Sequence, residues 1–93
     1  MRNPVIPAHR LLDRERCTLA FRCPWCGAAH AHGCGNGRSV QWRGSHCAMP
    51  EIAGRNYRLL AVGEVTSARM LPRLTLADIA ELNRALAPCS AQL

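Results

Sequence analysis

The sequence contains no lysine, few aromatic residues and no long apolar run. Aromatic side chains make up 4% of its 93 residues, so the core has to be built mainly from aliphatic side chains. No apolar stretch approaches the ~20 residues of a membrane-spanning helix, and residues 1–17 lack the apolar run of a signal peptide. We therefore expect a soluble, cytoplasmic protein that does not associate with a membrane.

Acidic residues are also scarce, and none occurs between Glu15 and Glu51. The formal net charge is +6. All of this excess lies in residues 1–60, because the arginines and acidic residues of 61–93 balance. A basic half is typical of proteins that bind nucleic acid or another acidic partner. Arginine without lysine, in a chain rich in alanine, is also what the codon usage of a GC-rich genome produces.

The distribution of turn residues and apolar residues predicts a small α+β fold packed as one domain. Residues 1–16, which include two prolines, are expected to form an N-terminal arm. Residues 17–50 are expected to form a zinc-binding β module, a zinc-knuckle β-hairpin or three-stranded sheet. Residues 51–93 are expected to add a strand and a C-terminal helix.

Local patterns predict the individual elements of this fold. Thr75 and Asp78 form an acidic variant of the capping box, and apolar residues recur every three or four positions after them. Pro88 is expected to end this helix. The predicted strands span residues 18–22, 28–34, 39–43 and 57–65, and the predicted helix spans 75–87.

Cysteine and histidine residues are concentrated in the basic half of the chain. Six cysteines would also suit a secreted disulfide scaffold, but here they are interleaved with histidines, as metal ligands are. Cys17 and Cys89 lie outside the concentration and are expected to be small buried hydrophobic residues. In chain order the concentrated residues are Cys23, Cys26, His30, His32, Cys34, His46 and Cys47.

These residues predict one zinc ion. The two residues between Cys23 and Cys26 allow a tight turn to direct both thiolates at one ion, and zinc takes four nitrogen or sulfur ligands in a tetrahedron. We predict that His32 and Cys47 complete the set. The alternatives that the pattern leaves open are His30 or Cys34 in place of His32, and His46 in place of Cys47.

A structural ion is expected rather than a catalytic one. Catalytic zinc sites keep a position open for water and usually have a carboxylate nearby as general base. No acidic residue lies within the cluster, so we expect neither an enzyme nor a small-molecule substrate.

The segments CPWCGAAHAHG and WRGSHC resemble a set of small zinc-finger-like proteins of actinobacteria and their bacteriophages. Those proteins have the form C-P-x-C-G-x-x-H-x-H-G followed by R-x-x-H-C. The resemblance covers residues 21–47 and departs from the pattern at Cys34. It implies metal binding, and a phage or mobile-element setting that would place the protein in a host cytoplasm. It implies no biochemical activity.

Two kinds of binding function follow from these features. The first is a zinc module that acts on nucleic acid or a nucleic-acid-associated complex, with Trp25 or Trp42 stacking on bases. The second is a phage-type modulator that docks on an acidic protein surface of a host assembly, or a small zinc-stabilised subunit of a virion or another complex. The arginines expected at the partner surface are Arg22, Arg38, Arg43, Arg55 and Arg58.

Overall fold

The computed structural model describes residues 3–34, 40–44 and 47–91, with residues 40–44 and 88–91 described by their backbone alone. Within these residues the chain forms one five-stranded sheet and one α-helix, which confirms the small α+β fold. A short 3-10 turn at Ala68–Met70 precedes the helix. The elements are β1 Val5–Leu11, β2 Thr18–Arg22, β3 Ala29–Gly33, β4 Val40–Gly44, β5 Asn56–Val65 and α1 Leu76–Ala91.

The strands are ordered β3-β2-β1-β5-β4 across the sheet. β1 and β5 are parallel, and the other neighbouring pairs are antiparallel. The sheet therefore has two outer hairpin-like pairs, β2–β3 and β4–β5, which the long strand β1 joins at the centre. The predicted zinc-binding module, residues 17–50, contains β2, β3 and β4, but these three strands do not form a sheet by themselves, because β1 and β5 from outside the module lie between β2 and β4.

The N-terminal segment is the main departure from the predicted fold. Residues 1–16 were expected to form an arm, yet Val5–Leu11 is the central strand and buries Ile6, Ala8 and Leu11 almost completely. Pro7 is tolerated because β1 pairs with β5 along its whole length but with β2 only at His9 and Arg10. The missing proline N–H therefore costs no hydrogen bond to β2.

The helix begins as predicted and ends later than predicted. The backbone N–H of Thr75 donates to Asp78 Oδ2 (2.9 Å), and the N–H of Asp78 donates to Thr75 Oγ1 (3.0 Å), so the capping box is formed. The helix continues through Pro88 to Ala91. A proline this near the end removes a hydrogen bond only from the last turns. No helix in the described part of the chain is long and apolar enough to cross a membrane.

The two faces of the sheet are covered differently. On the first face, Ile79 of α1 packs with strand residues that include Ile6, Phe21, Tyr57 and Leu59. On the other face, which we call the second face, Leu71 of the segment after β5 packs on Leu11 and Ala20. Both faces keep exposed positions among the described strand residues: Arg10 and Glu64 on the first face, and Ala29, Ala31 and Gly33 on the second.

Asn83 links the helix to the central strand. Its side-chain oxygen accepts a hydrogen bond from the N–H of Val5 (2.9 Å), and its side-chain nitrogen donates to the carbonyl of Val5 (2.8 Å). These bonds occupy the backbone of β1 at its first residue, where the strand is held against α1.

We expect Asn83→Ala to lower the free energy of unfolding by about 1–3 kcal/mol, because it leaves partly buried backbone groups of Val5 without these bonds. Arg84→Ala, at the next and exposed position, should change it by no more than about 0.5 kcal/mol. Urea unfolding of the metal-loaded protein measures both values. Equal effects of the two substitutions would contradict this role for Asn83.

Candidate metal centre

Four side chains converge beyond the end of the β2–β3 hairpin. The ligand atoms of Cys23, Cys26, His30 and Cys47 all lie within 4.8 Å of one another. The Sγ atoms of Cys23 and Cys47 are 3.8 Å apart, and Cys26 Sγ lies 3.3 Å from His30 Nε2. Cys23 and Cys47 are buried, whereas Cys26 is exposed. These four residues are close enough to bind one metal ion.

The first two ligands belong to the turn that connects β2 to β3. The N–H of Cys23 donates to the carbonyl of Ala28, and the N–H of Gly27 donates to the carbonyl of Cys23, both at 2.8 Å. Gly27 has φ +80, a conformation that glycine adopts without the penalty paid by residues with a Cβ atom. The Cys-Pro-Trp-Cys-Gly sequence thus closes a tight turn that brings two sulfur atoms to one side.

The other two ligands come from β3 and from the chain after β4. His30 lies directly across from Phe21 in the β2–β3 register, and their ring centroids are 5.7 Å apart. Cys47 comes three residues after the end of β4. The site therefore joins the β2–β3 hairpin to the connection between β4 and β5. Trp25, in the turn, is half-buried and packs against the core cluster that includes Cys23 and Cys47.

The structure corrects the choice of histidine. His32 was predicted as a ligand, but its Nε2 is 2.7 Å from the hydroxyl of Tyr57 inside the core, and only 7% of the residue is exposed. His30 and His32 point to the same face of β3, as the pattern indicated. His30 is the one nearer the turn, and it lies with the three cysteines.

The structure also corrects the roles of two cysteines. Cys34, an alternative ligand in the sequence, forms a disulfide with Cys17. Cys17 was expected to be a small buried residue, but it is exposed. The two cysteines lie just outside the hairpin, where Thr18 and Gly33 are cross-strand partners. Disulfides persist mainly in oxidising compartments, so the cytoplasmic location stays a prediction.

The sequence predicts this disulfide only once the register of the β2–β3 hairpin is known. Cys17 precedes β2 and Cys34 follows β3, so a hairpin closed at Cys23 and Ala28 puts them side by side.

Of the remaining predictions, His46 and Arg38 lie outside the described residues, and Cys89 and Arg43 are described by backbone only.

The two turn cysteines differ in their electrostatic surroundings. Burial raises the pKa of the Cys23 thiol to about 11. The backbone N–H of Ala28 donates to the Cys26 sulfur and lowers the pKa of that thiol. Cys23 therefore carries its proton at neutral pH when no metal is present, and a metal ion that binds this thiolate has to displace the proton.

The predicted partner-binding arginines whose side chains are described, Arg22, Arg55 and Arg58, lie in three different parts of the fold. Arg22 ends β2 beside the metal turn, and its Nη1 and Nη2 donate to the carbonyls of Gly27 (3.2 Å) and Ala68 (3.0 Å). Arg55 is exposed in the turn before β5. Arg58 lies within β5, half-buried, with Trp42 of β4 as its cross-strand partner.

Comparison of the chain with family models, curated proteins and solved structures found no significant match. The resemblance to actinobacterial and phage zinc-finger-like proteins therefore stays a prediction. The case for the site depends on its own geometry.

Cobalt(II) substitution measures the ligand set directly, because thiolate–cobalt charge-transfer bands scale with the number of thiolates. We expect His30→Asn and Cys47→Ser each to weaken metal binding at least tenfold, and Cys47→Ser also to lower the charge-transfer intensity by about one third. His32→Asn and Cys34→Ser are the controls and should keep one metal ion per chain with unchanged intensity. Loss of metal from His32→Asn in a chain that remains folded would contradict the assignment of His30.

Proposed function

We propose that the ion is zinc and that its role is structural. A tetrahedral zinc site with sulfur bonds of ~2.3 Å and nitrogen bonds of ~2.0–2.1 Å has sulfur–sulfur edges of ~3.8 Å and sulfur–nitrogen edges of ~3.6 Å. The separations of 3.8 Å between Cys23 and Cys47 and of 3.3 Å between Cys26 and His30 are close to these values. Three thiolates and one imidazole are a donor set that suits zinc.

The structural role is supported by the number and kind of the donors. Four protein ligands fill a tetrahedron and leave no position for a water molecule. Among the described residues no carboxylate belongs to the group, and a carboxylate is the usual general base of a catalytic zinc site. The ion would instead join the β2–β3 hairpin to the chain after β4, which are at opposite sides of the central strands.

Elemental analysis of the purified protein should therefore find one zinc ion per chain. Structural zinc contributes ~10–16 kcal/mol of apparent binding free energy at neutral pH, comparable to the whole stability of a small domain. We expect a chelator to abolish amide-exchange protection in residues 17–34 and to affect α1 less. A protein that is purified without metal and stays fully protected in the chelator would refute the proposal.

We further propose that this zinc-stabilised domain is a module that binds nucleic acid through the second face of the sheet. The observation that carries this proposal is the distribution of charge between the two faces. Cross-strand partners lie on the same face of a sheet, and so do alternate residues of one strand. Ala20 lies on the second face, so its partner His9 and its alternate neighbour Arg22 lie there too. Val5 alternates with His9 along β1, so Val5 and its partner Arg58 also lie on the second face.

No strand residue with an acidic side chain lies on that face. Glu64 is the one acidic residue in the five described strands. Its cross-strand partner is Arg10, which also pairs with Leu19 of the first face, so Glu64 lies on the first face. The side chains of Arg10 and Glu64 form an exposed ion pair of 3.9 Å. A sheet surface that carries cations without carboxylates favours a polyanion as its partner.

A salt titration of binding to a labelled single strand and a labelled duplex tests this proposal. With one phosphate contact each from Arg22 and Arg58 we expect the logarithm of the association constant to fall against the logarithm of salt concentration with a slope of about −1.4 to −1.8. Arg58→Gln should make the slope shallower by about 0.7–0.9. Arg84→Gln, on the helix, removes the same charge and should leave the slope unchanged.

Absence of binding to either nucleic acid at low salt would contradict the proposal. An acidic protein surface would then be the better candidate, which corresponds to the modulator of a host assembly. Binding of a polyglutamate peptide with the same dependence on Arg58 would identify that second function.

A further inference from the structure

A cleft of about 450 Å³ lies beside the metal turn, between that turn and the segment that leads into α1. Its lining combines two arginines with two apolar side chains and part of the turn. It contains no acidic residue. The lining residues are Arg22, Cys23, Pro24, Gly27, Arg73 and Leu74.

The backbone brings the two arginines of this cleft together. Arg22 and Arg73 are partners in an isolated parallel bridge. Arg22 already pairs with Ala29 of β3 on one side, so Arg73 occupies the other side, where β1 has stopped pairing with β2. Bridge partners project to the same side of the sheet, and two like charges at neighbouring positions repel each other.

No carboxylate among the described residues forms an ion pair with either guanidinium, since the two ion pairs of the described chain are Arg10–Glu64 and Arg14–Asp13. The carbonyls of Gly27 and Ala68 fix the orientation of Arg22 at 3.2 Å and 3.0 Å. Arg73 is exposed. The cleft thus has one oriented guanidinium and one accessible guanidinium whose charges have no described partner.

We infer that this cleft binds a phosphate group of the nucleic acid, an inference that rests on the proposed function. A phosphate has several oxygen atoms in a tetrahedral arrangement and can accept hydrogen bonds from two guanidinium groups that approach from different directions. A planar carboxylate is satisfied by one guanidinium in a bidentate pair. The cleft also exceeds the size of one phosphate, and Pro24 and Leu74 supply apolar walls against which the attached sugar can pack.

The position of the cleft connects it to both features already described. Arg22 belongs to the second face of the sheet, so a strand that crosses that face reaches the cleft at the end of β2. One of the two carbonyls that orient Arg22 belongs to Gly27 in the metal turn. The metal turn therefore helps to form the phosphate site without contacting the phosphate through the ion.

The test uses the full-length, zinc-loaded protein and a fluorescent oligonucleotide, with and without a 5′ phosphate. Arg73→Gln should weaken binding about tenfold, the effect of one lost charge-assisted hydrogen bond, and should make the salt slope shallower by about one contact. Arg84→Gln is the matched control and should change affinity less than twofold. Arg73→Lys keeps the charge without the planar fork and should recover only part of the affinity.

The two sources of the phosphate give different results. If a terminal phosphate binds, the 5′ phosphate raises the affinity of the wild type but not that of Arg73→Gln. If an internal phosphate binds, Arg73→Gln should weaken the binding of both oligonucleotides by the same factor. In either case the amide resonances of Gly27 and Leu74 should shift when oligonucleotide is added, and Arg73→Gln should reduce these shifts.

The outcomes separate this inference from the proposed function. Nucleic acid that binds the wild type and Arg73→Gln equally, without shifts at Gly27 and Leu74, would overturn the phosphate cleft and leave the module intact. A wild type that binds no nucleic acid at low salt would overturn both. A polyglutamate peptide that binds with the same loss in Arg73→Gln as the oligonucleotide would also overturn the assignment to phosphate, because the cleft would then accept any anion.

Discussion

The parallel pairing of β1 with β5 is the interaction on which the rest of the fold depends. It joins an N-terminal segment to a strand some fifty residues later along seven registered positions, and it carries the β2–β3 pair on one side and β4 on the other. The four metal-ligand residues come from these two sides, three from the β2–β3 hairpin and one from the chain after β4. The β1–β5 pairing would therefore hold these two sides together from the middle of the sheet, and the ion would hold them together from its end.

The two histidines of β3 show how one strand can serve a site and a core at the same time. Both side chains lie on the first face, two residues apart. The bond between Cys23 and Ala28 closes the hairpin, so His30 is the one nearer the turn and reaches the thiolates. His32 lies farther along the strand and reaches Tyr57. The ring of Phe21 packs against both His30 and Tyr57. The metal centre thus borders directly on the aromatic part of the core.

Sequence patterns predicted the features that depend on neighbouring residues, but they did not predict the features that depend on pairing between distant segments of the chain. The capping box and the turn at Cys23–Gly27 follow from residues within a few positions of one another, and the spacing of cysteine and histidine indicated a metal site although Cys47 lies far from the turn in sequence. The role of Val5–Leu11 depends on β5, and no local pattern specifies a parallel partner. Pro7 even argued against a central strand. The choice between His30 and His32, and the disulfide of Cys17, depend on hairpin register, which the sequence leaves open until the turn is fixed.

The same topology separates the charges. The first face buries the aromatic and aliphatic core under α1, and its one strand carboxylate, Glu64, lies beside Arg10 at an exposed position. On the second face the segment after β5 packs near Leu11 and Ala20, and Arg22 and Arg58 are each half-buried. At the end of β2 the chain after β5 returns alongside Arg22 and adds Arg73 to it. Among the strand residues whose side chains are described, the second face thus carries Arg22 and Arg58 without a carboxylate, whereas the first face carries the Arg10–Glu64 pair. This asymmetry gives physical support to polyanion binding that the net charge of the sequence alone could not supply.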